Sequence, residues 1–304
     1  MKTAGNSTLQ DALQCLVGES DPSLLEPHQL RQRLQALDSL DAYFTFAAPE
    51  AFPCDSIEAN LYRRATAIGA KLEAVNAELY AEIQAEIQCG HGPDALLRWA
   101  QPVAEIPSLD SEAAPTPVNG LAYDHLDELL SGVLQLEEPA ATLALASQEM
   151  VFYQPTPTRH IFQLLRLTDL SAADVLVDLG SGLGHVPLLV AICTRAHCIG
   201  IELEAAYIER ARQCGFRLKL NNVTFLKQDA READLSTGTV FYLYTPFRGS
   251  VLATVLERLR REAATRSIRI CSYGPSTTVI AREPWLQAAS PPQTDRITLF
   301  RSLN

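Results

Sequence analysis

The C-terminal half of the chain alternates short apolar runs with amphipathic stretches. Five apolar runs have the length of buried strands, and they lie at residues 175–178, 198–202, 223–227, 239–244 and 267–271. Between the last two, residues 251–260 place apolar side chains at helical spacing. Strands that alternate with helices are typical of a mainly parallel sheet covered by helices on both faces.

The N-terminal part has helical spacing instead. Four stretches carry apolar residues at steps of three and four, namely 7–17, 27–40, 57–89 and 123–136. Residues 102–119, rich in Pro, Ala and Glu, indicate a linker. The pattern predicts an all-α domain over residues 1–145 and an α/β domain over 146–304. The long stretch 57–89 favours a core helix within one chain, and a homodimer interface through the N-terminal helices is the alternative.

A glycine-rich turn follows the first apolar run. Gly180, Gly182 and Gly184 stand directly after the predicted strand, and an apolar stretch of helical length begins at His185. Glycine allows a sharp turn and lets a ligand approach the backbone closely. The helix that follows would point its unpaired N–H groups at that ligand. The pattern therefore predicts a site for a nucleotide-type cofactor.

Two cofactors compete for this loop. A dinucleotide fingerprint is G-x-G-x-x-G with an acidic residue about 20 positions further on, whereas the third glycine here comes one position early. Asp178 stands two residues before the first glycine, and two further carboxylates, Glu202 and Asp229, follow the next two predicted strands. The D-x-G-x-G-x-G loop with these two carboxylates resembles the class I S-adenosylmethionine methyltransferases.

The resemblance implies a fold and a set of cofactor contacts. The fold is a seven-stranded, mainly parallel Rossmann-like sheet, with residues 285–288 and 296–301 as its last two strands and the final strand antiparallel. Asp178, Gly180, Ser181, Gly182 and Gly184 would hold the methionine and ribose region of S-adenosylmethionine. Glu202, beside Leu203, would hold the ribose, and Asp229, beside Ala230, would hold the adenine.

A second segment narrows the resemblance. Tyr153 and Thr156 form a Y-x-x-T loop about 25 residues before the glycines, and Gly200-Ile-Glu-Leu203 follows on the next strand. Over residues 150–250 this arrangement is similar to the non-SET histone lysine methyltransferases. The resemblance implies that Tyr153 and Thr156 close over the methionine end of the cofactor.

The residues that would meet the methyl acceptor depart from that family. Its paired asparagines are replaced by Tyr244 and Thr245, and Pro246 and Phe247 follow. An amine acceptor needs hydrogen-bond acceptors that orient it, so Tyr244 and Thr245 are the catalytic candidates. Pro246 would line the same side, and Tyr244 would also contact the cofactor. Aromatic side chains here, Tyr153, Tyr244 and Phe247, could face a cationic sulfur or substrate.

The acceptor itself stays open at this point. The best hypothesis is methylation of a protein side chain, with the acidic helical domain recruiting a basic partner. One alternative is a small metabolite as acceptor, and a second is a catalytically silent module that binds S-adenosylmethionine. Two histidines near the site, His160 and His185, are interpreted as a surface residue and a polar contact at a helix start.

Composition agrees with two domains in a reducing compartment. The 304 residues exceed one methyltransferase core. The chain has seven cysteines, an odd number, and no C-x-x-C motif. This usage favours a cytoplasmic location. It also argues against a metal site at Cys193 and Cys198. The N-terminus has no signal-peptide pattern, and no apolar run approaches the roughly 20 residues of a membrane span.

The net charge of −11 hides an uneven distribution. Residues 1–150 contain 23 Asp and Glu against 7 Lys and Arg, whereas residues 151–304 contain 13 against 18. The acidic part argues against nucleic acid as a partner, since phosphate contacts need cationic side chains. It agrees with either a basic partner or simply a solvated helical surface.

Overall fold

The computed structural model describes residues 22–46, 56–100, 123–139, 154–244 and 247–303. These residues form two compact units, one that ends at Glu82 and one that begins at Ile83. The helix predicted at residues 7–17 and the linker at 102–119 lie outside the described residues.

The first unit is helical and contains α1 (Leu30–Phe46) and most of α2 (Ile57–Gln88). Leu40 and Ala65 form its small apolar core. Arg33 is completely buried, and its guanidinium Nε donates to Asn76 Oδ1 at 2.7 Å while other nitrogens donate to backbone carbonyls, including Leu24 O at 3.1 Å. Because each buried donor meets an acceptor, the charge is tolerated inside the unit.

The second unit is built on a seven-stranded sheet. The strands are β1 (Val175–Leu179), β2 (His197–Glu202), β3 (Val223–Lys227), β4 (Val240–Tyr244), β5 (Arg269–Tyr273), β6 (Leu286–Ala288) and β7 (Thr298–Ser302). Their order across the sheet is β3-β2-β1-β4-β5-β7-β6. Strands β1 to β5 are mutually parallel, and β7 runs antiparallel to both of its neighbours. The predicted seven-stranded, mainly parallel sheet is confirmed.

Helices accompany the strands of this unit. They are α3 (Gly92–Leu97), α4 (His125–Leu134), α5 (Thr158–Thr168), α6 (His185–Cys193), α7 (Ala205–Arg217), α8 (Gly249–Ala263) and α9 (Ser276–Ile280). The predicted helix at 123–136 is found as α4, and the one at 57–89 as α2. Helix α4 packs against α5 within the second unit. The predicted domain boundary after residue 145 lies outside the described residues and stays a prediction.

The strand order positions the candidate site. The order reverses between β1 and β4, which pair with Asp178 opposite Tyr242. In open α/β sheets, ligands bind in the crevice beyond the carboxyl ends of the strands at such a reversal. Apolar side chains of both strands fill the core on one face, with Val177 and Phe241 almost fully buried, so the strand ends are held in fixed positions.

None of the helices in the described ranges has both the length and the hydrophobicity that crossing a membrane requires.

Candidate active site

The glycine loop has the backbone conformation that its sequence predicts. Gly180, Gly182 and Gly184 all have positive φ angles, of 87°, 52° and 85°. Other residues rarely adopt this conformation. The amides of Gly180 and Ser181 both donate to Ile201 O at 2.9 Å, so the loop is tied to the end of β2. Gly184 is then the residue from which α6 begins.

Close packing is a second reason for glycine at this turn. A Cβ atom at Gly184 would lie 2.6 Å from the Phe225 ring, and one at Gly200 would lie 2.6 Å from the same ring and 2.8 Å from Ser181 Oγ. A Cβ atom essentially never lies within 3 Å of another heavy atom, so the Phe225 ring on β3 leaves no room for a side chain at Gly184 or Gly200.

Asp178 is buried at the end of β1, with 3% of its surface exposed. Burial raises the pKa of its carboxyl well above the usual value of 3.8, and the nearby negative charge of Glu202 raises it further. A carboxylate in this position is stabilised by any cation that binds next to it. The sulfonium and ammonium groups of S-adenosylmethionine are such cations.

The carboxylate of Glu202, at the end of β2, accepts hydrogen bonds from three backbone amides. Its Oε2 accepts from the Gly182 amide at 3.0 Å, and its Oε1 accepts from the Leu203 and Glu204 amides at 2.7 and 2.9 Å. A carboxylate has about four acceptor positions. Three are therefore occupied by the chain itself, and the carboxylate holds the glycine loop in place.

Asp229, at the end of β3, is also held by its own neighbours. It pairs with Arg231, with Oδ2 2.6 Å from Nη2, and Oδ1 accepts from the Arg231 amide at 2.8 Å. The Arg231 side chain lowers the pKa of Asp229. Of the two flanking candidates, Ala230 is buried, whereas Leu203 is 47% exposed.

Ser181 presents a different kind of group. Its Oγ is fully buried, yet none of the described residues offers it a hydrogen-bond partner. Buried hydroxyls normally have partners, so an unpartnered one in a ligand loop fits a ligand that supplies the missing bond. Close by, burial lowers the pKa of His185 to about 4. The imidazole is therefore neutral at pH 7 and adds no positive charge to the loop.

On the β4 side, the residues predicted to meet the methionine end are only partly described. Thr156 is buried, and its hydroxyl lies 2.8 Å from the hydroxyl of Tyr242, which is also buried. The other predicted residues on this side, Tyr153, Thr245 and Pro246, lie outside the described residues.

Tyr244 is the last residue of β4, and its ring stacks on Tyr273 at the end of β5. The two ring centroids are 4.6 Å apart, and Tyr273 in turn lies 4.4 Å from the ring of His160 on α5. Tyr244 Oη is buried without a hydrogen-bond partner among the described residues. Phe247 does not join these stacked rings, because its side chain packs into the hydrophobic core.

Sequence reasoning missed part of this stack. His160 was predicted to be a surface residue, but it is only 7% exposed, because α5 turns it toward β5. Tyr273 was not predicted to be near the site. Its position directly after an apolar strand and before Gly274 is a signal that could have identified it.

An acidic segment, residues 123–139, borders this edge of the sheet. It contains five Asp and Glu residues and no Lys or Arg. Asp127 Oδ1 accepts from the Thr158 amide at 2.7 Å, and Tyr123 Oη donates to Pro155 O at 2.8 Å. The start of the segment is therefore fixed against α5, next to the aromatic stack, whereas Glu138 near its end accepts from Tyr207 Oη on α7 at 3.2 Å.

The charges at this edge act on Tyr273. Its pKa is raised to about 12, first by burial and further by Asp295 and Asp127, while Arg159 opposes them. Arg159 itself lies 3.6 Å from Asp124. Burial also raises the pKa of Tyr244. Both phenols are neutral at pH 7, in surroundings where carboxylates outnumber cations.

The described residues hold no group of three or more His, Cys, Asp or Glu side chains that could bind a metal ion.

One family model matches the chain. It is described as a methyltransferase domain, and it matches residues 170–243, which include the glycine loop, Glu202 and Asp229. No curated protein sequence matches the chain at a significant level.

Solved structures of methyltransferases are similar to about half of the chain. An RNA methyltransferase from Salinibacter ruber with bound S-adenosyl-L-homocysteine is 26% identical over 49% of this chain and 92% of its own, with a TM-score of 0.38. A methyltransferase from Geobacter sulfurreducens is 19% identical over 48% and 78%, with a TM-score of 0.37. A Pyrococcus abyssi tRNA (uracil-54, C5)-methyltransferase is 19% identical over 50% and 40%, with a TM-score of 0.38. These similarities are too weak to identify the methyl acceptor of this chain.

Proposed function

We propose that this chain, whose C-terminal part is a class I Rossmann-like methyltransferase domain that uses S-adenosylmethionine, transfers the methyl group to a protein side chain. The observation that carries the proposal is the first part of the acidic segment, where Asp124 and Asp127 lie at the start of α5 beside the carboxyl ends of β4 and β5. Its carboxylates would attract a basic partner to the edge where transfer takes place. The same charge disfavours a nucleic-acid acceptor.

We assign the cofactor to the glycine loop and the three strand-end carboxylates. Gly180, Gly182 and Gly184 let the methionine part approach the backbone, and Ser181 Oγ gains the partner it lacks. Asp178 faces the cationic end of the ligand. The ribose and adenine then lie beside Glu202 with Leu203 and beside Asp229 with Ala230, as the resemblance implies.

The acceptor is assigned to the side of Tyr244. Thr156 is held by Tyr242, and we propose that Tyr153 closes over the methionine end from the same loop. Thr245 and Pro246 follow Tyr244 in the chain and would line the path of the acceptor. The non-SET histone lysine methyltransferases arrange this side with asparagines, and here we propose that Tyr244 and Thr245 replace them.

Bound S-adenosylmethionine supplies an electrophilic methyl group on a positively charged sulfur. The protein's contribution is alignment of the acceptor with that group and exclusion of water. Tyr244 is protonated at neutral pH, because a phenol has a pKa of about 10 and burial raises the pKa of Tyr244 further. It therefore orients the acceptor through hydrogen bonds and does not remove a proton as a base.

The test is transfer of labelled methyl from S-adenosylmethionine in a host lysate. Purified protein is added to the lysate, and label is followed separately in proteins, nucleic acids and small molecules. We expect label on proteins, at a basic side chain located by mass spectrometry. Label found only in small molecules would replace the protein acceptor by a metabolite, and no label in any fraction would favour a silent binding module.

Two variants control this experiment. Asp178→Asn changes the buried carboxylate of the cofactor site with little change in volume, and we expect it to abolish labelling. Glu257→Gln changes an exposed carboxylate that pairs with Arg260 and Arg261 on α8, and we expect it to label as the wild type does.

Two further proposals concern the whole chain. Unpaired cysteines, such as the buried Cys193 and Cys271, favour a reducing compartment such as the cytoplasm. A homodimer through the N-terminal helices remains a proposal, which analytical ultracentrifugation of the full chain would test.

A further inference from the structure

The stacked rings of Tyr244, Tyr273 and His160 form a continuous aromatic column at the ends of β4 and β5. The ring centroids are 4.6 and 4.4 Å apart, near the short end of the range of favourable aromatic pairs, and both pairs are tilted by 37°. Tyr273 and His160 are almost fully buried, whereas Tyr244 is partly exposed. The column therefore has an anchored base and one accessible end.

The base of the column is tied to two other elements. His160 Nδ1 lies 3.3 Å from Gln163 Oε1, which also accepts from the Ile297 amide at 3.1 Å. Ile297 directly precedes β7, so α5 and the sheet both hold His160. Because the base is fixed from two sides, the Tyr244 ring is positioned by packing.

Tyr244, the partly exposed residue of the column, carries a polar atom that lacks a hydrogen-bond partner among the described residues. Tyr244 Oη is buried at the atomic level and has no partner in the described part of the chain. Tyr242, two residues earlier on the same strand, has a partner in Thr156. Leaving a buried hydroxyl unpartnered is unfavourable, so a ligand that completes its hydrogen bonds is favoured there.

We propose that Tyr244, Tyr273 and His160 form an acceptor subsite for a cationic amine or its neutral form, with Tyr244 Oη receiving the N–H group. This inference rests on the proposed methyl transfer and names the class of acceptor. Tyr244 would contact the amine, whereas Tyr273 and His160 act through Tyr244 as positioning residues.

The surroundings favour an amine over other nucleophiles. Aromatic faces attract cations. The charges that act on Tyr273 have both signs, because Arg159 opposes Asp295 and Asp127, so the preference for an amine rests on the ring faces and on Tyr244 Oη, which has no partner among the described residues. An alcohol acceptor needs a general base to become a nucleophile, and neither Tyr244 nor Tyr273 ionises at neutral pH. An amine, in contrast, attacks through its own lone pair once it has lost a proton to solvent.

The balance of the step is simple. The amine nitrogen forms a bond to the methyl carbon as the bond between that carbon and the sulfonium sulfur breaks, and its electron pair stays on sulfur. The nitrogen gains a positive charge, which is lost with a proton to water. Tyr244 keeps its own proton throughout and orients the lone pair toward the methyl group.

The test measures binding of small probes to the full chain loaded with S-adenosylhomocysteine, whose sulfur is neutral. n-Butylammonium imitates a lysine side chain, and 1-butanol has the same shape without the charge. Tyrosine ring signals in NMR report the titrations. We expect n-butylammonium to bind the wild type about three- to tenfold more tightly than 1-butanol. Equal affinities of the two probes would overturn the proposal.

Three variants separate the hydroxyl from the ring stack. Tyr244→Phe should weaken binding of n-butylammonium, because the hydroxyl that would accept its N–H is removed. Tyr273→Leu should weaken this binding too, because Tyr244 is no longer held, whereas Tyr273→Phe should bind n-butylammonium as the wild type does, since it keeps the ring. If Tyr273→Leu fails to fold, the Tyr244→Phe comparison decides alone, and unchanged affinity of Tyr244→Phe for n-butylammonium refutes the subsite.

These results are independent of the protein acceptor. Selective binding of n-butylammonium, with lysate label only in small molecules, would support the amine subsite and refute the protein side chain. Label on proteins, with equal binding of the two probes, would support a protein side chain as acceptor and refute the amine subsite.

Discussion

On the two sides of the strand-order reversal, polar side chains at the strand ends differ in whether the protein supplies their hydrogen-bond partners. On the β2–β3 side, Glu202 and Asp229 are already occupied by backbone amides and by Arg231. On the β4–β5 side, the Tyr244 hydroxyl is buried and has no partner among the described residues. The two carboxylates therefore belong to a completed hydrogen-bond network, whereas Tyr244 Oη, like Ser181 Oγ in the glycine loop, is left for a ligand to satisfy.

The difference has an energetic meaning. A ligand at Glu202 or Asp229 must compete with hydrogen bonds that the chain makes to itself, so the net gain is small. A ligand at Tyr244 satisfies a group for which folding has already removed water, so the gain per bond is larger. We therefore expect variants on the first side to affect the loop's structure more, and variants on the second to affect the acceptor more.

The largest expected effect is on stability, at the glycine loop. Gly184→Ala places a Cβ 2.6 Å from the Phe225 ring at a φ of 85°. A positive φ costs about 1–2 kcal/mol and overpacking about 1–3 kcal/mol more. Gly90→Ala is a matched control, since Gly90 has a φ of 86° and no atom within 4 Å of the added Cβ. Urea denaturation should show the smaller loss for Gly90→Ala, and equal losses would mean that Phe225 yields freely.

The second-largest expected effect is a difference in stability between variants of two tyrosines on β4. Tyr242→Phe leaves the buried Thr156 hydroxyl without its partner and should lower the free energy of unfolding by about 1–3 kcal/mol. Adding Thr156→Val to it should recover much of that loss. Tyr244→Phe removes a hydroxyl that has no described partner, so stability should stay equal or rise. A comparable loss of stability in Tyr244→Phe would remove the contrast between the two sides.

Asp178→Asn separates cofactor binding from stability. Because burial raises the pKa of Asp178 in the folded protein, its ionisation opposes folding. The stability it contributes is full below its unfolded pKa of about 4 and is lost as the pH rises toward the folded pKa. Without cofactor at pH 7, Asp178→Asn should therefore melt at the same or a higher temperature than the wild type.

The same variant should bind S-adenosylmethionine about tenfold more weakly, or worse, by calorimetry, since a charged partner is lost. Wild-type affinity in Asp178→Asn would contradict the assignment of the cofactor site.

The smallest effect is expected at Arg231. Its pair with Asp229 is half-exposed, and such pairs contribute up to about 1 kcal/mol. Arg231→Ala frees the Asp229 oxygens for the adenine, so affinity for S-adenosylmethionine should rise by less than about fivefold, with little change in melting temperature. A clear loss of affinity would show that Arg231 itself holds the cofactor.

The sequence by itself determined the framework of the second unit. The apolar runs predicted the parallel strands β1 to β5, because a buried parallel strand requires a largely apolar run, whereas β6 and β7 were expected from the family resemblance. The glycines at 180, 182 and 184 predicted the loop, because positive φ angles exclude most other residues. These features are local, so one stretch of sequence is enough to specify each of them.

Only the tertiary structure decided which side chains meet. Tyr244, Tyr273 and His160 come from three elements more than a hundred residues apart at the extremes, and nothing in the local pattern of His160 distinguishes a buried ring from an exposed one. The same is true of the hydrogen-bond partner that Tyr242 has and that Tyr244 lacks among the residues the structure describes. Whether a polar group is satisfied depends on distances across the fold, and these are fixed only when the elements pack together.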